Sequence, residues 1–198
     1  KEAIEKYDAR AMDLVAAEAQ EGIWYKILGT RYLDEQMYAK AYEAFQKALY
    51  FYPNNANLYY YLAICAGYIA NTQMDFEADG GTFSQQKKMN YLYLSEEAYL
   101  QALSINPKYY RAMYGIGVLY EFELDESEKA IPLLEKLLTI DTKNIDTMFV
   151  LARAYYSSYE FDKSVEMYNR IIETTKVEET KNIAEENKKQ VLDAVYES

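Results

Sequence analysis

The amino-acid sequence predicts an all-α protein in which antiparallel helix pairs stack into an α-solenoid. One pattern of large and small residues recurs along most of the 198-residue chain, in units of about 34 residues, one of which carries an insertion. Apolar residues make up 51% of the chain, and it contains only three prolines. Helices can therefore run with few interruptions and bury a sizeable core, and we find no convincing strand pattern.

The clearest unit of the pattern is residues 22–55. Small side chains let two antiparallel helices approach closely, large ones fill the adjoining gaps, and a terminal proline ends the second helix. This spacing resembles the tetratricopeptide repeat family. The resemblance implies a right-handed superhelix that serves as a binding scaffold, without naming a partner. The residues that carry it are Tyr25-x2-Leu28-Gly29-x2-Tyr32, then Ala41-x3-Phe45, Ala48 and Pro53.

The same template locates three further units. The second covers residues 56–109 and is about 20 residues longer than the first, with the insertion near residues 70–89. The third covers 110–144 and the fourth 145–178, and both lack the terminal proline. Each helix pair cannot bury its faces alone, so the pairs are expected to stack on one another.

The two ends of the chain are expected to cap the stack. Residues 1–21 carry an amphipathic stripe and are interpreted as an N-terminal helix or half repeat. Residues 179–198 are apolar on one side and charged on the other, which is typical of a C-terminal capping helix. No linker rich in Pro, Gly or Ser divides the chain. We therefore expect a single domain of about ten helices.

Composition argues against several functions. The net charge of −11 repels phosphates, so nucleic acid is not an expected partner. The chain has no histidine, and Cys65, its single cysteine, lies in an apolar helix interior. We therefore expect no enzyme, metal or cofactor. No apolar run is long enough to insert in a membrane. The compartment stays open between the cytoplasm and export with a signal removed upstream of Lys1.

The resemblance implies that the first helix of each unit lines a concave groove. The inward positions are the second, fifth, sixth, ninth and twelfth of the unit. Aromatic residues at the fifth position would supply apolar contact, and arginines could bind a carboxylate. The alternative is that the tyrosines, of which the chain has 23, only pack helix against helix. The candidate groove residues are Lys26, Thr30, Asn57, Tyr60, Tyr61, Ile64, Arg111, Tyr114, Phe149, Arg153 and Tyr156.

Some members of the family hold the C-terminal carboxylate of chaperones with a lysine, asparagine and arginine clamp. Lys26 occupies a lysine position of that clamp. Thr30 stands where the asparagine is expected, and Tyr60 supplies no amide. Binding of chaperone tails is therefore not expected.

The insertion is the second candidate contact site. Its ends, 71–78 and 84–89, are expected to lengthen the flanking helices, with a turn at Gly80-Gly81. Exposing Met74, Phe76 and Phe83 together would be costly. These side chains are expected to pack on a neighbouring helix, to cover the groove or to contact a partner.

These observations favour a noncatalytic protein-interaction scaffold that binds a peptide or helix in the groove or at the insertion. One alternative is a structural subunit that assembles with copies of itself, so a homo-oligomer is possible. The other is a solenoid that binds an apolar small molecule or lipid in its aromatic groove.

Overall fold

A computed structural model of the chain describes residues 2–76 and 82–197, with side chains described for residues 6, 7, 10–72 and 85–195. These residues form nine α-helices and no strand, which confirms the all-α solenoid class. The helices are α1 Glu2–Asp34, α2 Tyr38–Phe51, α3 Ala56–Phe76, α4 Thr82–Ile105, α5 Tyr110–Phe122, α6 Ser127–Ile140, α7 Ile145–Ser157, α8 Phe161–Thr174 and α9 Glu178–Glu197.

The chain gathers into two compact units, and its folding as a single domain stays a prediction. The first unit is Lys1–Tyr109 and contains α1 to α4; the second is Tyr110–Ser198 and contains α5 to α9. The border between them falls at the predicted boundary between the second and third repeats. In the first unit α1 packs on α2, α2 on α3, and α3 on α4. In the second, each helix from α5 to α8 packs on the helix that follows it, and α5 also contacts α7.

The small residues of the repeat pattern lie where paired helices approach most closely. A Cβ atom built on Gly29 would come within 2.7 Å of the Phe45 ring, and one on Gly117 within 2.7 Å of Leu134. Both distances are too short for ordinary contact, so only glycine fits at these two crossings. The packing that the pattern predicts is therefore present in the first and third repeats.

Helix α1 is longer than the sequence analysis predicted. It runs for 33 residues without a break, so the expected separation of an N-terminal helix from the first repeat is absent, and the described residues form nine helices instead of about ten. The reason is local: residues 15–21 include three alanines and no proline, and alanine is the strongest helix former.

The insertion lengthens two helices. Helix α3 continues to Phe76 and α4 begins at Thr82, so most of the additional residues are helical. Gly80 and Gly81 lie outside the described residues, as do the side chains of Met74, Phe76 and Phe83; their predicted contacts are not described. No helix in the described ranges is long and apolar enough to span a bilayer.

Candidate partner-binding site

The candidate groove residues are divided between the two units. Six of them lie on α1 and α3 of the first unit, and five lie on α5 and α7 of the second. The first set is Lys26, Thr30, Asn57, Tyr60, Tyr61 and Ile64; the second is Arg111, Tyr114, Phe149, Arg153 and Tyr156.

In the first unit, Tyr60 lies within a cluster of aromatic rings. Its ring centroid is 5.5 Å from that of Tyr61, 6.2 Å from that of Tyr99 and 5.3 Å from that of Tyr109. Tyr99 is buried, and burial raises the pKa of its hydroxyl. Tyr61 also stacks on Phe45, with ring centroids 5.0 Å apart. The half-buried tyrosines Tyr60 and Tyr61 thus take part in packing helix against helix.

The other candidates of the first unit do not gather around one cavity. The Thr30 hydroxyl donates a hydrogen bond to the Lys26 carbonyl, 3.0 Å away, within its own helix. Asn57 accepts a hydrogen bond from the Tyr109 hydroxyl and lines a cavity of about 680 Å³. The lining of that cavity includes the turn between α2 and α3, at residues 54–55. Of the six candidates, Asn57 alone contributes to the described lining.

The second unit brings three candidates together. A cleft of about 350 Å³ opens beside α7, and Phe149, Arg153 and Tyr156 all line it. Phe149 meets Tyr168 edge to face, with ring centroids 6.2 Å apart. We call this cavity the α7 cleft. Its lining consists of Phe122, Phe149, Val150, Arg153, Tyr156, Tyr168, Asn187, Gln190 and Val191.

Arg153 is held at the edge of the α7 cleft by a buried carboxylate. Its Nε lies 3.4 Å from Oε1 of Glu121, and its guanidinium carbon lies 5.1 Å from the centroid of the Phe122 ring. The Glu121 side chain is only 1% exposed, whereas that of Arg153 is 57% exposed. Glu121 also accepts hydrogen bonds from the hydroxyls of Ser127, at 2.6 Å, and Ser157, at 2.8 Å. A buried charge is tolerated when it is paired and hydrogen-bonded in this way.

Asn187 and Gln190 are cleft residues that the sequence analysis did not select. Both lie on α9, which was interpreted only as a capping helix. They occupy the ninth and twelfth positions counted from residue 179, the same positions that Arg153 and Tyr156 hold in the fourth repeat. Continuing the repeat register into the last helix would have found them.

The remaining candidates of the second unit lie outside the described lining of the α7 cleft. Arg111 is exposed and Tyr114 is half-buried. Burial raises the pKa of the Tyr114 hydroxyl, and the negative charge of Asp146 adds to the effect. Arg153 is therefore the candidate arginine that the structure brings into contact with aromatic residues of a cleft.

The chemistry of the single cysteine is that of a core residue. Cys65 is fully buried, and burial raises the pKa of its thiol from 9.0 to about 12. A thiol with such a pKa is protonated at neutral pH and is a poor nucleophile. Among the residues whose side chains are described, no group of Cys, Asp or Glu is arranged to hold a metal ion.

Sequence comparison places the chain among helical-repeat proteins. A family model described as "Tetratricopeptide repeat" matches residues 110–144, the same residues as the predicted third unit. A relative described as a TPR repeat-containing protein, from Borreliella burgdorferi, is 24% identical over 182 residues. That alignment covers 91% of this chain and 75% of the relative.

Solved structures share the fold at low identity. MamA 41-end from Desulfovibrio magneticus RS-1 is similar with a TM-score of 0.66 and 14% identity, covering 89% of this chain and 92% of that one. TTC0263, a thermophilic TPR protein of Thermus thermophilus, has a TM-score of 0.65 and 20% identity, and the match covers 93% of this chain and 91% of that one. YrrB, a TPR protein with an unusual peptide-binding site, has a TM-score of 0.64 and 13% identity, and the match covers 92% of this chain and 87% of that one.

The helix pairs and the fold shared with these solved structures define an α-solenoid. Within that class, the chain is similar to tetratricopeptide repeat proteins, and residues 110–144 match the model of that repeat.

Proposed function

We propose that this protein is a noncatalytic scaffold that binds an extended, uncharged peptide segment in the α7 cleft. The observation that carries the proposal is the composition of the lining: aromatic rings, two primary amides and one arginine whose charge is already paired. The occurrence of a peptide-binding site in YrrB, which has a similar fold, supports a peptide as the class of ligand.

The rings and amides of the α7 cleft suit different parts of a peptide. Phe149 and Tyr156 offer apolar surface for a side chain of the ligand. Asn187 and Gln190 each carry an amide that donates and accepts hydrogen bonds, as a peptide bond does. An extended segment has unpaired backbone N–H and C=O groups. The two amides can therefore bind its backbone whatever its side chains are.

The pairing of Arg153 with Glu121 argues for a neutral ligand. Arg153 is the single charged residue in the described lining of the cleft, and the buried carboxylate of Glu121 compensates its charge. A carboxylate of the ligand would approach a neutral pair and would repel Glu121. We therefore favour an internal peptide segment as the ligand. The sequence had suggested a carboxylate bound by Arg111 and Arg153, but Arg153 is paired with Glu121.

A peptide-display experiment tests the site. The full chain is used to select binders from a library of random dodecapeptides, and the dissociation constants of the selected peptides are measured by fluorescence polarisation. Replacing Asn187 and Gln190 by alanine together should weaken binding at least tenfold, because two pairs of hydrogen bonds are lost. Asn182→Ala changes an exposed amide of the same helix that does not line the cleft, and should leave binding unchanged.

Comparing peptides with charged and uncharged C-termini tests whether the ligand is an internal segment. Peptides with an amidated and a free C-terminus should bind equally well if the ligand is an internal segment. Selection of C-terminal acids, or equal affinity of the double variant and the wild type, would reject this mode of binding. The predicted contact at the insertion stays a proposal, and binding by a variant with Met74, Phe76 and Phe83 changed to serine tests it.

A further inference from the structure

One face of α1 exposes large apolar side chains next to opposite charges. Trp24 is 61% exposed and Leu28 is 40% exposed, and both line a shallow cavity of about 460 Å³. Glu21 and Arg31, both exposed, lie at the two ends of this row. We call the four residues the α1 face. Clusters of exposed large apolar residues bordered by charges are typical of interaction surfaces.

The corresponding positions of other repeats are covered by a neighbouring helix. Trp24, Leu28 and Arg31 are the third, seventh and tenth residues of the first repeat. In α3, against which α2 packs, and in α7, against which α6 packs, the residues at these positions are between 0% and 6% exposed. The α1 face is thus a helix-packing surface that no described helix covers. The covered equivalents are Leu58, Leu62 and Cys65 in α3, and Thr147, Leu151 and Ala154 in α7.

We propose that a second copy of this chain covers the α1 face, with the two α1 helices antiparallel. The four residues are spaced by three, four and three positions, so the row is symmetric about Lys26. An antiparallel copy centred at Lys26 places Trp24 of each chain opposite Leu28 of the other. The same symmetry places Glu21 of each chain opposite Arg31 of the other, which gives two ion pairs at the ends of an apolar centre.

The composition of α9 argues against a different arrangement of two copies, in which one chain's α9 would cover the other's α1 face. Exposed charges, among them Glu186 and Lys189, lie along α9, and burying the apolar centre of the α1 face against them would desolvate them without pairing. The exposed apolar residues Ile183 and Leu192 are nine positions apart, which places them on opposite sides of the helix. The α1 face instead matches itself in both apolar contact and charge.

A helix face of this length makes a small interface. Stable complexes bury about 1,200–2,000 Å² in total, and two single helix faces fall at or below the lower end. The dimer is therefore expected to dissociate in the range of roughly micromolar concentrations. Sedimentation velocity from about 1 to 200 μM of the full chain follows this equilibrium.

Charge reversal tests the pairing directly. Glu21→Arg places an arginine opposite Arg31 of the other copy, and Arg31→Glu places two glutamates opposite each other. Each single change should raise the dimer dissociation constant at least tenfold, and the double variant should recover it to within about threefold of the wild type. Both residues are exposed, so circular dichroism should show unchanged helix content. Glu43→Arg makes the same change on an exposed position of α2 and should leave the constant unaltered.

Three results would overturn the proposal. They are a wild-type chain that stays monomeric at 200 μM, single reversals that dimerise like the wild type, and a double variant that fails to recover. The second result would mean that the copies associate through another surface.

Discussion

The opening helices of the first and fourth repeats use equivalent positions in opposite ways. Trp24 and Leu28 of α1 are 61% and 40% exposed, whereas Thr147 and Leu151 of α7 are buried under α6. These residues hold the third and seventh positions of their repeats. Burial at these positions therefore depends on whether another helix lies against them. Four sets of substitutions test that contrast, in order of decreasing effect.

The first prediction compares one substitution on the two helices. Leu151→Ala should lower the free energy of unfolding by about 2–5 kcal/mol, because it leaves a cavity in the core. Leu28→Ala at low protein concentration should cost roughly 1 kcal/mol or less, because much of its side chain already contacts water. Urea denaturation of both variants at 1 μM measures the difference. Equal losses would mean that α1 is covered even in the monomer.

The second prediction concerns the side of α1 that is covered by α2. Gly29→Ala should lower the free energy of unfolding by about 1–3 kcal/mol, since the added Cβ would lie within 2.7 Å of the buried Phe45 ring. Gly67 of α3 is the matched control, because a Cβ there meets only the Ser95 hydroxyl at 3.7 Å. Gly67→Ala should therefore stabilise by up to about 1 kcal/mol, through helix propensity. Thermal denaturation should show a lower melting temperature for Gly29→Ala and a higher one for Gly67→Ala.

The third prediction concerns the start of each helix. The side chain of Asn144 caps α7 by accepting hydrogen bonds from the Thr147 N–H, at 2.9 Å, and hydroxyl, at 2.8 Å. Asn144→Ala should cost about 1 kcal/mol. Glu21 holds the equivalent position in α1, where the helix continues without a break. Glu21→Ala should change the stability of the monomer by less than about 0.5 kcal/mol, and a larger loss would indicate a helix end near Glu21.

The fourth prediction concerns Cys65, which occupies in α3 the position of Arg31 in α1. Because its pKa rises from 9.0 in the unfolded chain to about 12 on burial, its contribution to stability is complete below pH 9 and is lost between pH 9 and 12. The free energy of unfolding should therefore fall more steeply over this range in the wild type than in Cys65→Ala. Iodoacetamide should label the folded chain at pH 8 far more slowly than the unfolded chain. Equal rates would show that the thiol is accessible.

The fold could be predicted because tetratricopeptide spacing follows from packing volumes. Gly29 faces Phe45 and Gly117 faces Leu134, as small and large positions of the pattern require. The uninterrupted α1 was missed although its signal was present. The alanines between residues 15 and 22 favour helix, but the start of the repeat was interpreted as a break.

The candidate site could be predicted only in part. Repeat register selected Phe149, Arg153 and Tyr156, which do line one cleft. The pairing of Arg153 with Glu121 depends on the contact of two helices separated in sequence, and register alone does not indicate which charges meet. Whether an aromatic row crosses from Tyr60 to Tyr114 stays a prediction, since these residues lie in different units.

The uninterrupted length of α1 also determines where its N-terminal end can lie. At a rise of about 1.5 Å per residue, the helix spans roughly 36 Å from Glu2 to Lys26. In an antiparallel pair centred at Lys26, the two N-terminal ends would then be held about 70 Å apart and pointing in opposite directions. Such a pair would act as a rigid spacer, and any domain or surface joined to those ends would be kept at that separation.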